Sequence, residues 1–174
     1  MRLKDKVIII TGATSGIGSA IAVKAVSEGA KVLIHGIDQA GGQKIVDQLG
    51  KSAALCIADL AQDSAPKKIA DAAISAFGKI DAVVNNAAFI ERNNLSQLTP
   101  EAFTKTITIN LQSALFLIQA AFPHLKKTAG CVLNIGSINA YSGESSLLAY
   151  SIGKAGLQTM TRNLANAHGT DKVR

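Results

Sequence analysis

Tryptophan is absent from this sequence, tyrosine occurs twice and phenylalanine five times, so aromatics make up 4% of 174 residues. The core must therefore be built from Ala, Ile, Leu and Val. Two cysteines cannot form a disulfide framework; Cys56 in ALCIAD and Cys131 in GCVLNIG lie in apolar runs and read as small buried core residues, as suits a reducing compartment. Mean hydropathy is +0.25, yet the apolar bursts, such as VIII at 7–10 and ALFLI at 114–118, fall far short of the roughly 18 residues of a membrane span. No membrane association is expected. With 48% hydrophobic and 17% charged residues and three prolines, disorder and collagen are excluded as well.

Charge of one sign is in mild excess: 18 basic against 12 acidic residues give +6, with a pI near 9.4. The basic residues are scattered (Arg2, Lys4, Lys6, Lys24, Lys67, Lys68, Lys126, Lys127) and no stripe interleaves them with aromatics. A solvated basic surface is the expectation, and nucleic acid is not an expected partner. The first residues, MRLKDKVIII, reach a turn after a few apolar positions and lack the longer apolar region and small-residue cleavage site of a signal peptide. A cytoplasmic protein is expected.

What is present is an alternation of two periods. Residues 7–11, 31–35, 53–58, 81–84 and 131–136 are brief apolar runs, continuous rather than alternating, as in strands covered on both faces. Helical patterns lie between them at 16–28, 39–49, 65–77 and 100–122, with a last one at 148–167. The helix near 100 opens with Thr99 as N-cap, Pro100 in the first turn and Glu101. Strands and helices taking turns imply right-handed crossovers and a parallel sheet flanked by helices, an α/β fold. No repeat, low-complexity segment or linker divides residues 1–174.

The first strand ends in TGATSGIG, with Thr11, Gly12, Gly16 and Gly18. A tight turn from strand into helix lets the backbone approach a pyrophosphate at the helix N-terminus. The glycine spacing differs from the G-x-G-x-x-G of the common dinucleotide fingerprint. Asp59, with Leu60 after the third strand, either accepts from an adenine amine or caps the next turn. Asn85 and Asn86 end the fourth strand, where paired amides line a ligand or stitch one loop to the next. Asn110 stands within the long helix, and Asn is a poor interior helix residue, so a local kink or a bound water is the expected reason. Tyr150 and Lys154 are four apart and share a helix face. A phenol ionises near pH ~10 and is a poor base at neutrality, and a nearby ammonium lowers that value. Ser137, after the fifth strand, could orient a carbonyl oxygen beside the phenol.

These residues, in this order, resemble the compact branch of the short-chain dehydrogenase/reductase family: Thr11-Gly12-xxx-Gly16-x-Gly18, Asp59, Asn85-Asn86-Ala87, Asn110, Ser137 and Tyr150-xxx-Lys154. The resemblance runs from the first strand to the last helix. It implies a doubly wound Rossmann-type sheet in three layers, NAD(P) as cofactor and hydride exchange with a secondary alcohol or ketone, a small-molecule substrate. It implies that Tyr150 exchanges the proton, Lys154 holds the nicotinamide ribose, Ser137 positions the substrate oxygen and Asn110 holds a water relayed to Lys154. The implied cofactor cradle is Thr11, Gly12, Ser15, Gly16, Ile17, Gly18, Gly36, Asp59, Leu60, Asn86 and Ala87, with Tyr150 and Lys154 at its far end. An extended-branch nucleotide-sugar epimerase shares the Tyr-xxx-Lys pair, but the glycine spacing and the NNA run argue against it.

The pattern departs from the family in three places. Ala88 stands where the family has Gly, which matters if that position needs a positive φ. At HGID, Gly36 stands where an acidic residue would favour NAD, Ile37 where NADP users often carry Arg, and Ser15 where the glycine loop often carries a base. His35 could touch a phosphate and Asp38 a ribose hydroxyl, or both could be turn residues; the balance leans to NADP. Finally, the family usually continues into a sixth strand, a substrate lid and a seventh strand, whereas DKVR ends where that sixth strand would begin. Residues 1–174 are thus expected to be a C-terminally incomplete NAD(P)-binding domain, without the last strands and lid. Strand 131–136 is then expected to be an unpaired edge, and a fragment binding a nucleotide or a partner without turnover is the rival reading. The helices near 100–122 and 148–167 offer faces for a homo-oligomer.

Overall fold

The computed structural model describes residues 1–174. Five parallel strands form one sheet: β1 (Val7–Ile10), β2 (Lys31–Gly36), β3 (Ala53–Ile57), β4 (Ala82–Asn85) and β5 (Cys131–Asn134), in the order β3-β2-β1-β4-β5. The helices are α1 (Gly16–Ser27), α2 (Gln39–Leu49), α3 (Ala65–Phe77), α4 (Pro100–Ile107), α5 (Ser113–Thr128) and α6 (Leu148–His168). The continuous apolar runs have their cause in the two faces of this sheet. Ile9, Leu33 and Val83 point into a core with Ile69, Leu117 and Leu125 of α3 and α5, whereas Ile8, Ile10, Val32, Ile34 and Val84 point into a second core with Ala22 and Ala25 of α1. A strand between two cores can spare no polar position on either face.

Local chemistry sets the helix ends. Asp38 caps α2 by accepting from Gly41 N at 3.1 Å, and Thr99 caps α4 by accepting from Ala102 N at 3.2 Å. Gly78 closes α3 with φ +78°, a left-handed conformation that glycine takes without strain. Ala129 closes α5 with φ 47°, although it carries a Cβ.

Three expectations need correction. The helix expected at 100–122 is interrupted by a π turn at Thr108–Gln112 and then runs on to Thr128, through Pro123. Pro123 lies on the exposed face, and fully buried Leu125 anchors the last turn against the core. By length and composition Pro100–Thr128 is long and apolar enough to cross a membrane, with mean hydropathy 1.2, but Leu117, Ala121 and Leu125 are packed under the sheet. The strand expected at 131–136 ends at Asn134, and it is half-buried, with Leu133 53% exposed and Cys131 partly so. Nor is its outer edge bare: Val132 N donates to Arg174 O at 2.7 Å and Arg174 N to Gly130 O at 3.1 Å.

Candidate functional site

The carboxyl ends of β1, β2, β3 and β4 open on one cleft of about 400 Å³, lined by Gly12, Thr14–Ile17, His35–Ile37, Ala58–Leu60, Asn86–Phe89 and Ile109. The turn from β1 into α1 is tied down from β4. Thr11 Oγ1 accepts from Asn86 N and Ala87 N, both at 3.0 Å, and Asn86 Nδ2 donates to Thr11 O and Gly12 O at 2.9 and 3.2 Å. Asn86 thus stitches the glycine loop to β4 while also lining the cleft. Asn85 does the same toward β5, donating to Asn134 Oδ1 at 2.8 Å.

Two of the loop glycines are required by geometry. Gly12 has φ +62°, and a Cβ there would lie 2.8 Å from Ala87 Cα; a Cβ on Gly18 would collide with Gly12 O and lie 2.7 Å from Asn86 Nδ2. The loop therefore runs backbone against backbone. Ser15, the N-cap of α1, makes no side-chain cap bond, and no acidic residue occupies the first turn. The N–H groups of α1's first turn and the helix dipole are left for an anion. Ala88 is absent from the residues with positive φ, so alanine there imposes no left-handed strain.

Asp59 makes the turn cap that was one of the two readings open in the sequence. Its Oδ1 caps the turn by accepting from Ala61 N at 2.9 Å, and the residue lines the cleft beside buried Leu60. His35 is 1% exposed, and its Nε2 lies 3.0 Å from Ala58 O. A carbonyl only accepts, so that nitrogen carries the proton and Nδ1 is left as a buried acceptor without a partner. Burial holds the imidazole pKa down at about 4, so it is neutral at pH 7. Hence His35 brings no positive charge to a phosphate. Among the cleft residues there is no lysine or arginine.

The second half of the site hangs on α6. Lys154 is 2% exposed, and its Nζ donates to Ile135 O, just past β5, at 2.6 Å. Burial lowers its pKa from the ordinary lysine value. Nζ lies 5.9 Å from the centroid of the Tyr150 ring, so the i, i+4 spacing does bring the ammonium beside the phenol. An ammonium has three donors, and the Ile135 carbonyl takes one. Ser137 caps the short turn Ile138–Ala140, its Oγ accepting from Asn139 N at 3.2 Å.

Asn110 lies in the π turn and is 2% exposed. Its amide is spent on the loop after β4: Oδ1 accepts from Phe89 N at 2.7 Å and Nδ2 donates to Phe89 O at 2.8 Å. The kink anticipated from an Asn in mid-helix is this turn. Both ends of the Asn110 amide are thus bonded to Phe89 rather than to Lys154. Residues that spacing did not reveal complete the site. Ile135 supplies its carbonyl to Lys154 and Thr14 fills the space beside Gly36, while Gly153 lets α6 approach Asn110 Cβ to within 3.4 Å of where its own Cβ would be.

A separate groove of about 310 Å³ lies between α5 and α6 at the β5 edge, lined largely by apolar residues such as Leu115, Phe122 and Leu164. None of the residues named above for chemistry lines it.

The family model for short chain dehydrogenases matches residues 6–174. The chain belongs to that family. An uncharacterized oxidoreductase of Thermotoga maritima is 35% identical over 169 residues, 95% of this chain and 66% of its own length. A blue fluorescent protein from a metagenomic library, solved in complex with NADPH, superposes with a TM-score of 0.93 at 28% identity, covering 99% of this chain and 72% of its own. A 3-ketoacyl-(acyl-carrier-protein) reductase from Brucella melitensis, complexed with NADH, gives 0.94 at 30%, covering 99% and 74%. The chain spans about two thirds of the length of the curated relatives it matches, 66% for the Thermotoga protein.

Proposed function

We propose that this chain binds a nicotinamide dinucleotide across the cleft and interconverts a secondary alcohol and a ketone. The observation that carries the reading is the buried Lys154 ammonium, held on Ile135 O and set beside Tyr150, at the end of the same sheet edge that the glycine loop opens. The cradle fits a dinucleotide: an uncapped helix N-terminus for the pyrophosphate, glycines that admit backbone and no Cβ, and a buried unpartnered acceptor at His35. When bound, the nicotinamide supplies the hydride donor or acceptor.

This chain's own residues then position the reactants and move the proton. Lys154 keeps two donors beyond its bond to Ile135 O, one for the nicotinamide ribose and one for the Tyr150 side of the site. The Tyr150 hydroxyl would give its proton to the carbonyl oxygen in the reduction direction and take it back in the alcohol direction. Ser137 Oγ hydrogen-bonds the same oxygen and so fixes the carbonyl beside the phenol. Asn110, through Phe89, holds the loop after β4 against the π turn. The reductase among the solved neighbours carries a ketone substrate in its name, which agrees with this reaction type.

The test supplies purified protein with NADH or NADPH and a panel of ketones and follows absorbance of the reduced cofactor. Oxidation of the cofactor is expected, with a loss of about 10²-fold or more in Tyr150→Phe. Unchanged turnover in that variant sinks the assignment, and saturable binding with no turnover on any ketone supports the rival binding-only reading.

A further inference from the structure

Two segments that carry opposite halves of the site are joined to each other beyond the sheet. One follows β4 and lines the cleft from Asn86 to Phe89; the other runs from Ser137 to Leu147 and leads into Tyr150 on α6. Arg92 Nη1 donates to Glu144 Oε1 at 2.6 Å and to Ser146 Oγ at 2.9 Å, and Ser146 Oγ donates to the same carboxylate oxygen at 2.8 Å. Beside this triangle the backbones pair. Asn93 N donates to Ser146 O at 2.9 Å, and Asn93 forms a single parallel bridge with Leu147.

The first segment is also held at its start, where Asn86 is bonded to the glycine loop and Phe89 to Asn110. The second has less support. Between the short turn Ile138–Ala140 and buried Leu147, residues 141–145 are exposed, and a Cβ on Gly143 would meet nothing within 4 Å. A stretch with so few buried contacts opens locally at little cost unless something ties it down. The Ser146 hydroxyl and the Arg92 guanidinium hold the Glu144 carboxyl below its ordinary value, so it is charged at neutral pH.

We propose that Arg92 is a positioning residue: by clasping Glu144 and Ser146 it holds the segment from Ser137 to Tyr150 in place against the loop that lines the cleft. The clasp's effect on rate rests on the alcohol–ketone reading above and deepens it. In that reading Ser137 and Tyr150 must both reach one carbonyl oxygen while the cofactor is held from the cleft. A displacement of about 1 Å between such groups costs about 10²-fold in rate. The Arg92 and Glu144 side chains are 66% and 40% exposed, so solvent screens the pair and it adds little to global stability. Its loss should therefore loosen one segment and slow the reaction while the rest of the fold stands.

The test compares the unmodified chain with Arg92→Ala, Arg92→Lys and the charge exchange Arg92→Glu with Glu144→Arg. It reads amide hydrogen exchange, Tm, and steady-state kinetics on a ketone that the unmodified chain reduces. In Arg92→Ala the amides of Asn93, Asn139 and Leu147 should exchange about tenfold faster, and those of β1 at the unmodified rate. In the same variant kcat should fall about tenfold, with KM for the reduced cofactor within about twofold. The charge exchange should recover most of both losses, and Arg92→Lys, which keeps the charge without the fork, part of them. Unchanged exchange at the three amides in Arg92→Ala overturns the inference, as does an unchanged kcat. A uniform loss of protection with a lowered Tm marks a merely structural residue and overturns it as well. A chain that reduces no ketone sinks the alcohol–ketone reading; faster exchange at the three amides then supports the clasp, and unchanged exchange overturns it.

Discussion

Asp81 ties three strands together at the amino end of the sheet, and its removal should separate a buried hydrogen bond from an exposed ion pair. Its carboxylate is 5% exposed, with Oδ2 accepting from Val7 N at 2.9 Å, Lys6 Nζ at 3.1 Å from Oδ1 and Lys79 Nζ at 2.9 Å from Oδ2. Its backbone donates to Val7 O and accepts from Cys131 N. The lysines are 49% and 42% exposed, so solvent screens them and each pair contributes about 0–1 kcal/mol. The Val7 N–H has no such relief: left without an acceptor and buried, it costs about 1–3 kcal/mol. Asp81→Ala, which loses both, is therefore expected to destabilise by about 3 kcal/mol, and Asp81→Asn, which keeps an acceptor for Val7 N, by about 1 kcal/mol.

Urea unfolding at constant m-value reads both differences. Burial pushes the Asp81 pKa up, but the Val7 N–H and the two ammoniums outweigh it and hold it below the ordinary carboxylate value. A depressed pKa contributes stability that is present above the unfolded value of about 3.9 and lost as pH falls below it. The gap between the unmodified chain and Asp81→Asn should then be flat from pH 7 to about 5 and close toward pH 3. Equal losses in the Asn and Ala variants, or a gap that does not close in acid, would refute the division between buried bond and screened charge.

Two further perturbations follow from single residues. Ala129 is exposed and ends α5 at φ 47°, where a Cβ costs about 1–2 kcal/mol and glycine's extra freedom in the unfolded chain offsets part of the relief. Ala129→Gly should therefore stabilise by about 0.5–1 kcal/mol, read as a rise of about 2–3 °C in Tm; a fall in Tm contradicts the strain. His35 is held neutral by burial, its pKa lowered from 6.5 to about 4. A lowered folded pKa means that protonation of the unfolded chain pulls against folding, so stability should decline from pH ~6.5 toward 4. His35→Gln should flatten that decline by up to about 3 kcal/mol, measured as the slope of unfolding free energy against pH, and an unchanged slope counts against it.

The layered fold was legible because it follows from which faces are covered. Ile8, Ile9 and Ile10 are all apolar since the sheet has a core on both sides, although β5 carries a similar run while only half-buried. The glycine loop was legible for the same kind of reason, since contacts that admit no Cβ demand glycine in any sequence that makes them. Pro123 made the end of α5 illegible. Local chemistry says that proline breaks a helix, yet its ring lies on the open face while Leu125 two residues on is fully buried. The cover on β5 was hidden too, because it comes from one residue distant in sequence, Arg174, whose carbonyl accepts from Val132 N and whose N–H donates to Gly130 O.

The placement of Lys154 shows where spacing stops informing. The i, i+4 rule sets Lys154 beside Tyr150 on α6, but it does not say how deep the helix sits. That depth comes from two glycines meeting a distortion on another helix. Gly153 faces Asn110, and a Cβ on Gly156 would lie 2.7 Å from Leu111 Cδ2. Both partners belong to the π turn, which widens the helix where Asn110 reaches across to the Phe89 backbone. Pressed against that turn, α6 delivers Nζ to Ile135 O at 2.6 Å, where the side chain is 2% exposed and an ammonium is largely stripped of water. The Asn that looked like a fault in a helix thus belongs to the turn against which α6 buries Lys154.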